Sequence, residues 1–322
     1  MDMKKCAVGV DLGGTKIALG IVDDEGRLLE RLRYDTETQG GYGAVIKQIV
    51  DGVRQLKDKG NPSGAPMSGV GIGVAGQVDP ETGAVVFAPN LDWRDVPLRG
   101  DVEKACGLPV VVTNDVRAAL WGEWLFGAGR GVEDLICIFV GTGIGGGIVC
   151  GGRVLEGCSN TAGEIGHMTV DLRGPLCKCG NRGCMEALAG GWAMARRAQE
   201  SVKAGPVAGS AILNMAGGKI EEITAKTLVD AFYAGDPLAV TILDEATDAL
   251  SAGIAALVNA VNPCKIILGG GIIEGMPEMV SRIDKGVRSR ALNAATGRLA
   301  IVASKLGGEA GIIGAAALAM RR

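Results

Sequence analysis

The stretch LICIFVGTGIGGGIVCGG, residues 135–152, decides the fold. Leu135–Val140 is a short apolar run of the kind that forms a buried strand. Residues 141–147 read as a glycine turn, Ile148–Cys150 as a strand again, and Gly151-Gly152 as the next turn. Gly141, Gly143 and Gly146 reproduce the G-x-G-x-x-G spacing of dinucleotide-binding folds. That fingerprint requires a helix directly after the turn, whose N-terminus receives the pyrophosphate. Here a strand follows, so the better reading is a glycine hairpin whose backbone N–H groups hold phosphates. No G-x-x-x-x-G-K-[ST] occurs, which excludes a P-loop enzyme.

The same unit stands earlier in the chain. Residues 5–10 read as a strand, Asp11–Thr15 as a turn, Lys16–Val22 as a second strand and Arg27–Tyr34 as a third. Val45, Ile49, Val53 and Leu56 mark one face of a helix over 43–59. Buried strands follow at 69–74 and 109–113, then a helix over 116–126. Two degenerate β-β-β-α units, each opening with a glycine hairpin, predict two related α/β domains facing a cleft. Further on, Asp236 as N-cap, Pro237 as first helical residue and the stop Asn262-Pro263 delimit a helix over 237–261. A strand at 265–268 runs into Gly269-Gly270-Gly271, and an Ala-rich helix covers 311–320. Residues 201–220 carry little periodicity and read as loop with some helix.

Composition narrows the function. With 322 residues the chain suits two domains, and 47 % hydrophobic residues allow a substantial core. No apolar run approaches the roughly 18–20 residues of a membrane helix. A net charge of −3 and a pI near 5.5 argue against a nucleic-acid face. Lys4 and Lys5 ahead of the apolar Cys6–Val10 imitate a signal peptide, but Asp11 and Gly13-Gly14 break the run at once, so a cytoplasmic protein is expected. Nine cysteines in a reducing compartment argue against disulfides. Three of them cluster, and most of the other six are expected as small core residues.

Three glycine-rich turns are candidate nucleotide contacts. In the first, Asp11 ends a strand, Gly13 and Gly14 let backbone approach phosphate oxygens, and Thr15 and Lys16 add donors. The second offers Gly141, Thr142 and Gly143. The third, Gly269, Gly270 and Gly271, could take an adenine or ribose flat on its backbone, although a strand-to-helix turn explains it equally well. His167, the only histidine, precedes Cys177, Cys179 and Cys184 in the spacing His-x9-Cys-x-Cys-x4-Cys. Four soft ligands among glycine and proline turns match a tetrahedral Cys3His zinc site with no open position, hence a structural one. Asn90, Asn114, Asp115, Glu164, His167 and Glu186 form a set that could converge on a polyol, whose hydroxyls both donate and accept. Asp115 closes a strand, where α/β folds place ligands, but could also cap the helix beginning at Val116.

Asp11-Leu12-Gly13-Gly14-Thr15-Lys16, Glu164-Ile165-Gly166-His167-Met168 and Cys177-x-Cys179-Gly180-x-x-Gly183-Cys184-x-Glu186 resemble the ROK family of sugar kinases and repressors, essentially end to end. The resemblance implies the actin-like ATPase (ribonuclease H-like) fold, ATP and Mg²⁺, and homodimers or homotetramers. It implies a smaller N-terminal domain over 1–116, completed by a C-terminal helix at about 308–322, and a larger domain over 117–307 carrying the zinc knot. Asp115 then matches the general base; Asn90, Asn114, Glu164, His167 and Glu186 match sugar contacts, with a backbone contact from Gly76. His167, Cys177, Cys179 and Cys184 match the Zn²⁺ ligands. Family repressors carry a helix-turn-helix ahead of the first phosphate turn, and ten residues leave no room for one. The motifs look most like those of ROK glucokinases, so glucose is the expected acceptor. N-acetylmannosamine or fructose, and a non-catalytic sugar sensor, are the alternatives.

Overall fold

A computed structural model describes residues 5–60, 64–205 and 210–321. Lys4 and residues 206–209 of the weakly periodic stretch lie outside the described residues. The chain forms two compact units. One comprises Met1–Gly131, Glu156–Ala162 and Lys305–Arg322; the other comprises Val132–Leu155 and Gly163–Ser304.

The first unit is built on strands β1 (Cys6–Leu12), β2 (Lys16–Asp23), β3 (Leu28–Asp35), β4 (Met67–Val74) and, after a small sheet of β5 (Gln77–Val78), β6 (Val85–Ala88) and β7 (Trp93–Val96), β8 (Val110–Asn114). The main sheet has the order β3-β2-β1-β4-β8, with β1 to β3 antiparallel and β1, β4 and β8 parallel. Both faces of β1 are covered, which is why it reads as an unbroken apolar run. Cys6, Val8, Val10 and Leu12 face the helix Gly41–Asp58, whose Val45, Ile49, Val53 and Leu56 are fully buried. On the alternate face, Ala7 packs against the helix Ala310–Met320. That helix lies with its backbone almost on the sheet. A Cβ on Gly71 of β4 would stand 1.8 Å from the carbonyl oxygen of Ala315, so only glycine fits.

The second unit repeats this plan. Its strands are β9 (Leu135–Val140), β10 (Ile144–Cys150), β11 (Arg153–Val154), β12 (Lys265–Gly269) and β13 (Ala300–Ala303), in the order β11-β10-β9-β12-β13. Again a three-strand antiparallel meander continues into parallel neighbours of its first strand. The helix Pro237–Val261 has the bounds read from sequence. The Asp236 carboxylate accepts from the Leu238 and Ala239 N–H groups at 2.9 Å each, and Asn262 ends the helix in the left-handed region at φ 52°.

Several expectations are corrected. Gly145–Gly147 belong to strand β10, not to the turn; β10 pairs with β9 throughout, and the missing Gly146 side chain leaves room for Ile165. The first unit runs to Gly131 rather than to residue 116, because the helix Asp115–Leu125 packs against Ala310–Met320 within it. Within 201–220, Ser210–Met215 is helical. Of the six cysteines outside the cluster, Cys6 and Cys137 are buried, but Cys150, Cys158 and Cys264 are exposed at strand ends and in a loop. Among the described residues no helix is long and apolar enough to cross a membrane.

Candidate active site

In the first unit, the parallel register aligns Asp11 with Gly73, Leu12 with Val74, and Val74 with Asn114. The carboxyl ends of β1, β4 and β8 therefore share one edge, where open α/β sheets bind ligands. With strands about 4.8 Å apart, Asp11 and the Asn114–Asp115 pair stand on backbones roughly 10 Å apart. Asn114, not Asp115, caps the helix Asp115–Leu125: its Oδ1 accepts from the Arg117 N–H at 3.2 Å, and its Nδ2 donates to the Gly76 carbonyl at 3.2 Å. Asp115 is the first helical residue, partly buried, with Oδ1 accepting from the Val116 N–H at 2.9 Å. Asp11 is partly buried between β2 and β4. Burial, reinforced by the Asp115 charge and opposed by Arg33, pushes its carboxyl up from 3.8 to about 6.

The first glycine turn closes through the Gly13 N–H, which donates to the Lys16 carbonyl at 3.0 Å. Thr36 Oγ1 donates to the Gly13 carbonyl at 2.8 Å. Gly14 abuts Asn90; a Cβ there would lie 2.6 Å from the Asn90 carbonyl oxygen. Thr15, Lys16 and Asn90 are exposed. Asp11, Gly14, Asn90, Asn114 and Asp115 thus gather at one end of this unit.

In the second unit, residues 141–143 form the turn between β9 and β10. The Gly141 and Thr142 carbonyls accept from the Gly191 and Trp192 N–H groups at 2.9 Å each, docking the helix Gly191–Ala204 behind the turn. Glu186 braces it. Its Oε2 accepts from the Ile144 N–H at 2.9 Å and its Oε1 from the Trp192 indole N–H at 3.1 Å. A Cβ on Gly143 would stand 2.4 Å from Glu186 Oε2, so a larger residue would push the carboxylate out of its place under the turn. Each carboxylate oxygen keeps a further lone pair for a hydroxyl donor.

Beside this turn opens a cavity of about 630 Å³, whose wall includes Thr142, Trp192, Ile223, Val229, Gly271 and Ile272. Apolar walls ending at a glycine turn suit a planar heterocycle with a phosphate tail. Of the triple glycine only Gly271 reaches the cavity. Gly269 makes room for Phe139 and Ser304, and Gly270 turns the chain at φ 90°. Trp192, Ile223 and Val229 were not singled out from sequence. They converge from two helices and the loop before the second with no local pattern; the apolar spacing of Ala225–Tyr233 marks a helix, not a pocket wall.

The cluster of four soft ligands is formed. The ligand atoms of His167, Cys177, Cys179 and Cys184 all lie within 4.8 Å of one another. His167 Nδ1 is 3.7 Å from Cys177 Sγ, and the Cys179 and Cys184 sulfurs are 3.7 Å apart. A tetrahedral zinc with Zn–S bonds of about 2.3 Å gives edges of about 3.8 Å, close to the two 3.7 Å separations, so the donor set suits that ion. The Nδ1 atom faces the sulfurs, which leaves Nε2 for another partner. Glu164 precedes the short turn Ile165–His167 and is exposed, while Cys184 leads directly into the helix Met185–Ala189 that carries Glu186. Lys178, inside the knot, stands 4.8 Å over the Trp192 ring. The knot thus holds the elements that present Glu164, His167 and Glu186.

The model of the ROK family matches residues 7–322. The chain is 39 % identical over 313 residues to a glucokinase of Streptomyces coelicolor, covering 97 % of this chain and 96 % of that one. It is 37 % identical over 316 residues to a glucokinase of Thermotoga maritima, covering 98 % and 97 %. The fold is similar, with a TM-score of 0.84 and 39 % identity, to the crystal structure of a ROK family glucokinase from Streptomyces griseus in complex with glucose and AMPPNP, covering 98 % of this chain and all of that one.

Proposed function

Because the chain belongs to the ROK family and is a sugar kinase, we propose that it transfers the γ-phosphoryl group of ATP to the 6-hydroxyl of glucose, with Asp115 as general base. The observation that carries this reading is the near-full-length likeness to glucokinases, one of them holding glucose and AMPPNP. The geometry supports it: a carboxylate at the carboxyl edge of one sheet, and glycine turns beside both first strands.

In this reading the glucose O6 bonds to the γ-phosphorus as the bond to the β,γ-bridging oxygen breaks. The O6 proton passes to Asp115 and then to water. Positioning and charge stabilisation dominate such transfers, so Asp115 need not be a strong base. Asn90, Asn114, Glu164 and Glu186 hydrogen-bond sugar hydroxyls, as does His167 through Nε2. Asp11, Gly13, Gly14, Thr15 and Lys16 attend the phosphates from the first unit; Gly141, Thr142 and Gly143 do so from the second, with the base over Gly271. Asp11, a carboxylate crowded by the Asp115 charge, would help to hold Mg²⁺, which would supply charge neutralisation to the phosphates. Zn²⁺ on His167, Cys177, Cys179 and Cys184 is structural. The two compact units serve as the two kinase domains, in a cytoplasmic homodimer or homotetramer.

ADP release with glucose, mannose, N-acetylmannosamine and fructose tests the proposal. Release is expected to require sugar, with glucose giving the highest kcat/KM. Mannose should be poorer, because its axial 2-hydroxyl leaves the partners of an equatorial one unpaired. A tenfold advantage for N-acetylmannosamine or fructose would move the acceptor and keep the kinase. Sugar binding without ADP release would leave a sensor.

A further inference from the structure

Between Leu155 and Gly163 the chain leaves the second unit, contributes Glu156–Ala162 to the first, and returns. This strap closes on itself. The Ala162 N–H donates to the Glu156 carbonyl at 3.1 Å, and the Ser159 and Thr161 hydroxyls are 3.0 Å apart. Its residues 156–159 are exposed, whereas Asn160 turns inward, partly buried and in the left-handed region at φ 58°. There it meets Arg117, two residues past Asp115 on the helix Asp115–Leu125. Arg117 Nη1 donates to Asn160 Oδ1, and Nη2 donates to the Asn160 backbone carbonyl at 3.0 Å. Asn160 Nδ2 in turn donates to the Val78 carbonyl at 2.9 Å. A planar guanidinium holds a side-chain and a backbone oxygen of one residue with two nitrogens in a fixed fork, a geometry that the single nitrogen of a lysine does not reproduce.

We infer that Arg117 is a positioning residue for the sugar: its clasp on Asn160 anchors the strap that leads into Glu164 and His167. Only three residues lie between Asn160 and Glu164, a reach of at most about 14 Å over four steps. Slack at Asn160 therefore passes directly to Glu164 and to the knot ligand His167. The helix that presents Asp115 also fixes the entry to the segment that carries these two sugar contacts. This inference rests on the proposed kinase reading and adds a residue to it.

The experiment uses the full-length protein with Arg117→Met, Arg117→Lys and Asn160→Gly, the last of which tolerates a positive φ and keeps the backbone carbonyl. KM for glucose is expected to rise about tenfold in Arg117→Met and Arg117→Lys and about threefold in Asn160→Gly. KM for ATP and kcat at saturating sugar should stay within twofold. The Arg117→Met/Asn160→Gly double variant should be no worse than Arg117→Met, because both changes open one clasp. Amide hydrogen exchange over residues 161–167, which needs no turnover, should rise about tenfold in each single variant. Equal rises in both KM values, full activity of Arg117→Lys, multiplicative effects in the double variant, or unchanged exchange would each overturn the inference. Absence of sugar-dependent ADP release in the unmutated protein would instead strike the kinase reading, while raised exchange in the variants would still report the clasp.

Discussion

Replacing Asp11 by asparagine should make the protein more stable and less active. The Asp11 carboxyl is raised from 3.8 to about 6, first by burial and then by the neighbouring Asp115 charge. At about 1.4 kcal/mol per tenfold change in proton affinity, holding it ionised costs the folded state about 3 kcal/mol above the folded pKa. Between 3.8 and about 6 the folded state binds the proton that the unfolded state has lost, so stability falls as pH rises through that window. Asparagine is neutral throughout. Asp11→Asn should therefore gain about 3 kcal/mol at pH 8 and only about 1 kcal/mol at pH 4.5. Equilibrium urea unfolding at the two pH values measures the difference. Trp93, Trp121 and Trp124 belong to the first unit and Trp192 to the second, so tryptophan fluorescence reports mainly on the unit that carries Asp11. In the same preparation kcat should drop at least tenfold if Asp11 attends the phosphates as proposed, because the amide brings no charge to them. A variant no more stable at pH 8, or one whose gain is the same at both pH values, would refute the argument.

Asp115→Asn should abolish nearly all turnover yet leave glucose affinity within about tenfold, because the amide keeps the shape but cannot accept a proton; calorimetry with a coupled assay decides, and a variant retaining a tenth of the rate removes Asp115 as base. Cys179→Ser should lower zinc content and raise the Michaelis constant for glucose, since the knot holds Glu186 through the turn at Cys184. Metal analysis beside kinetics is the check, and zinc-poor protein with an unchanged constant would uncouple the knot from the sugar.

Some of this was legible in the residues because the cues are local. Asp236, Pro237 and Asn262 delimit their helix to the residue, since a cap and a left-handed stop are matters of one or two side chains. The strand–turn–strand at Leu135–Cys150 and the spacing of His167 with its three cysteines are of the same kind. Gly145–Gly147 look like loop residues but are strand residues, and Gly146 among them is thinned to admit Ile165, a neighbour nineteen positions on. The cavity wall of Trp192, Ile223 and Val229 and the return of Glu156–Ala162 to the first unit depend on pairings between distant segments, which no window of sequence displays. That most of the six unclustered cysteines lie in the core is an expectation from residue type alone; Cys150, Cys158 and Cys264 are exposed because strand ends and a loop place them there.

The helix Ala310–Met320, seated on the glycines of the first sheet, bears on how the chain is made. A ribosome delivers Met1–Gly131 early, but β1 and β2 stay bare on one face, beside the helix Asp115–Leu125 over β4, until a helix some 180 residues further along has emerged. At roughly 5–20 residues per second the wait is on the order of 10–40 s. Most of Val132–Ser304 emerges during that interval and can collapse on its own core. The half-covered sheet is then the nascent species most in need of a chaperone. A stop codon placed just before Ala310 should leave it uncovered for good, sending the polypeptide to aggregation or proteolysis.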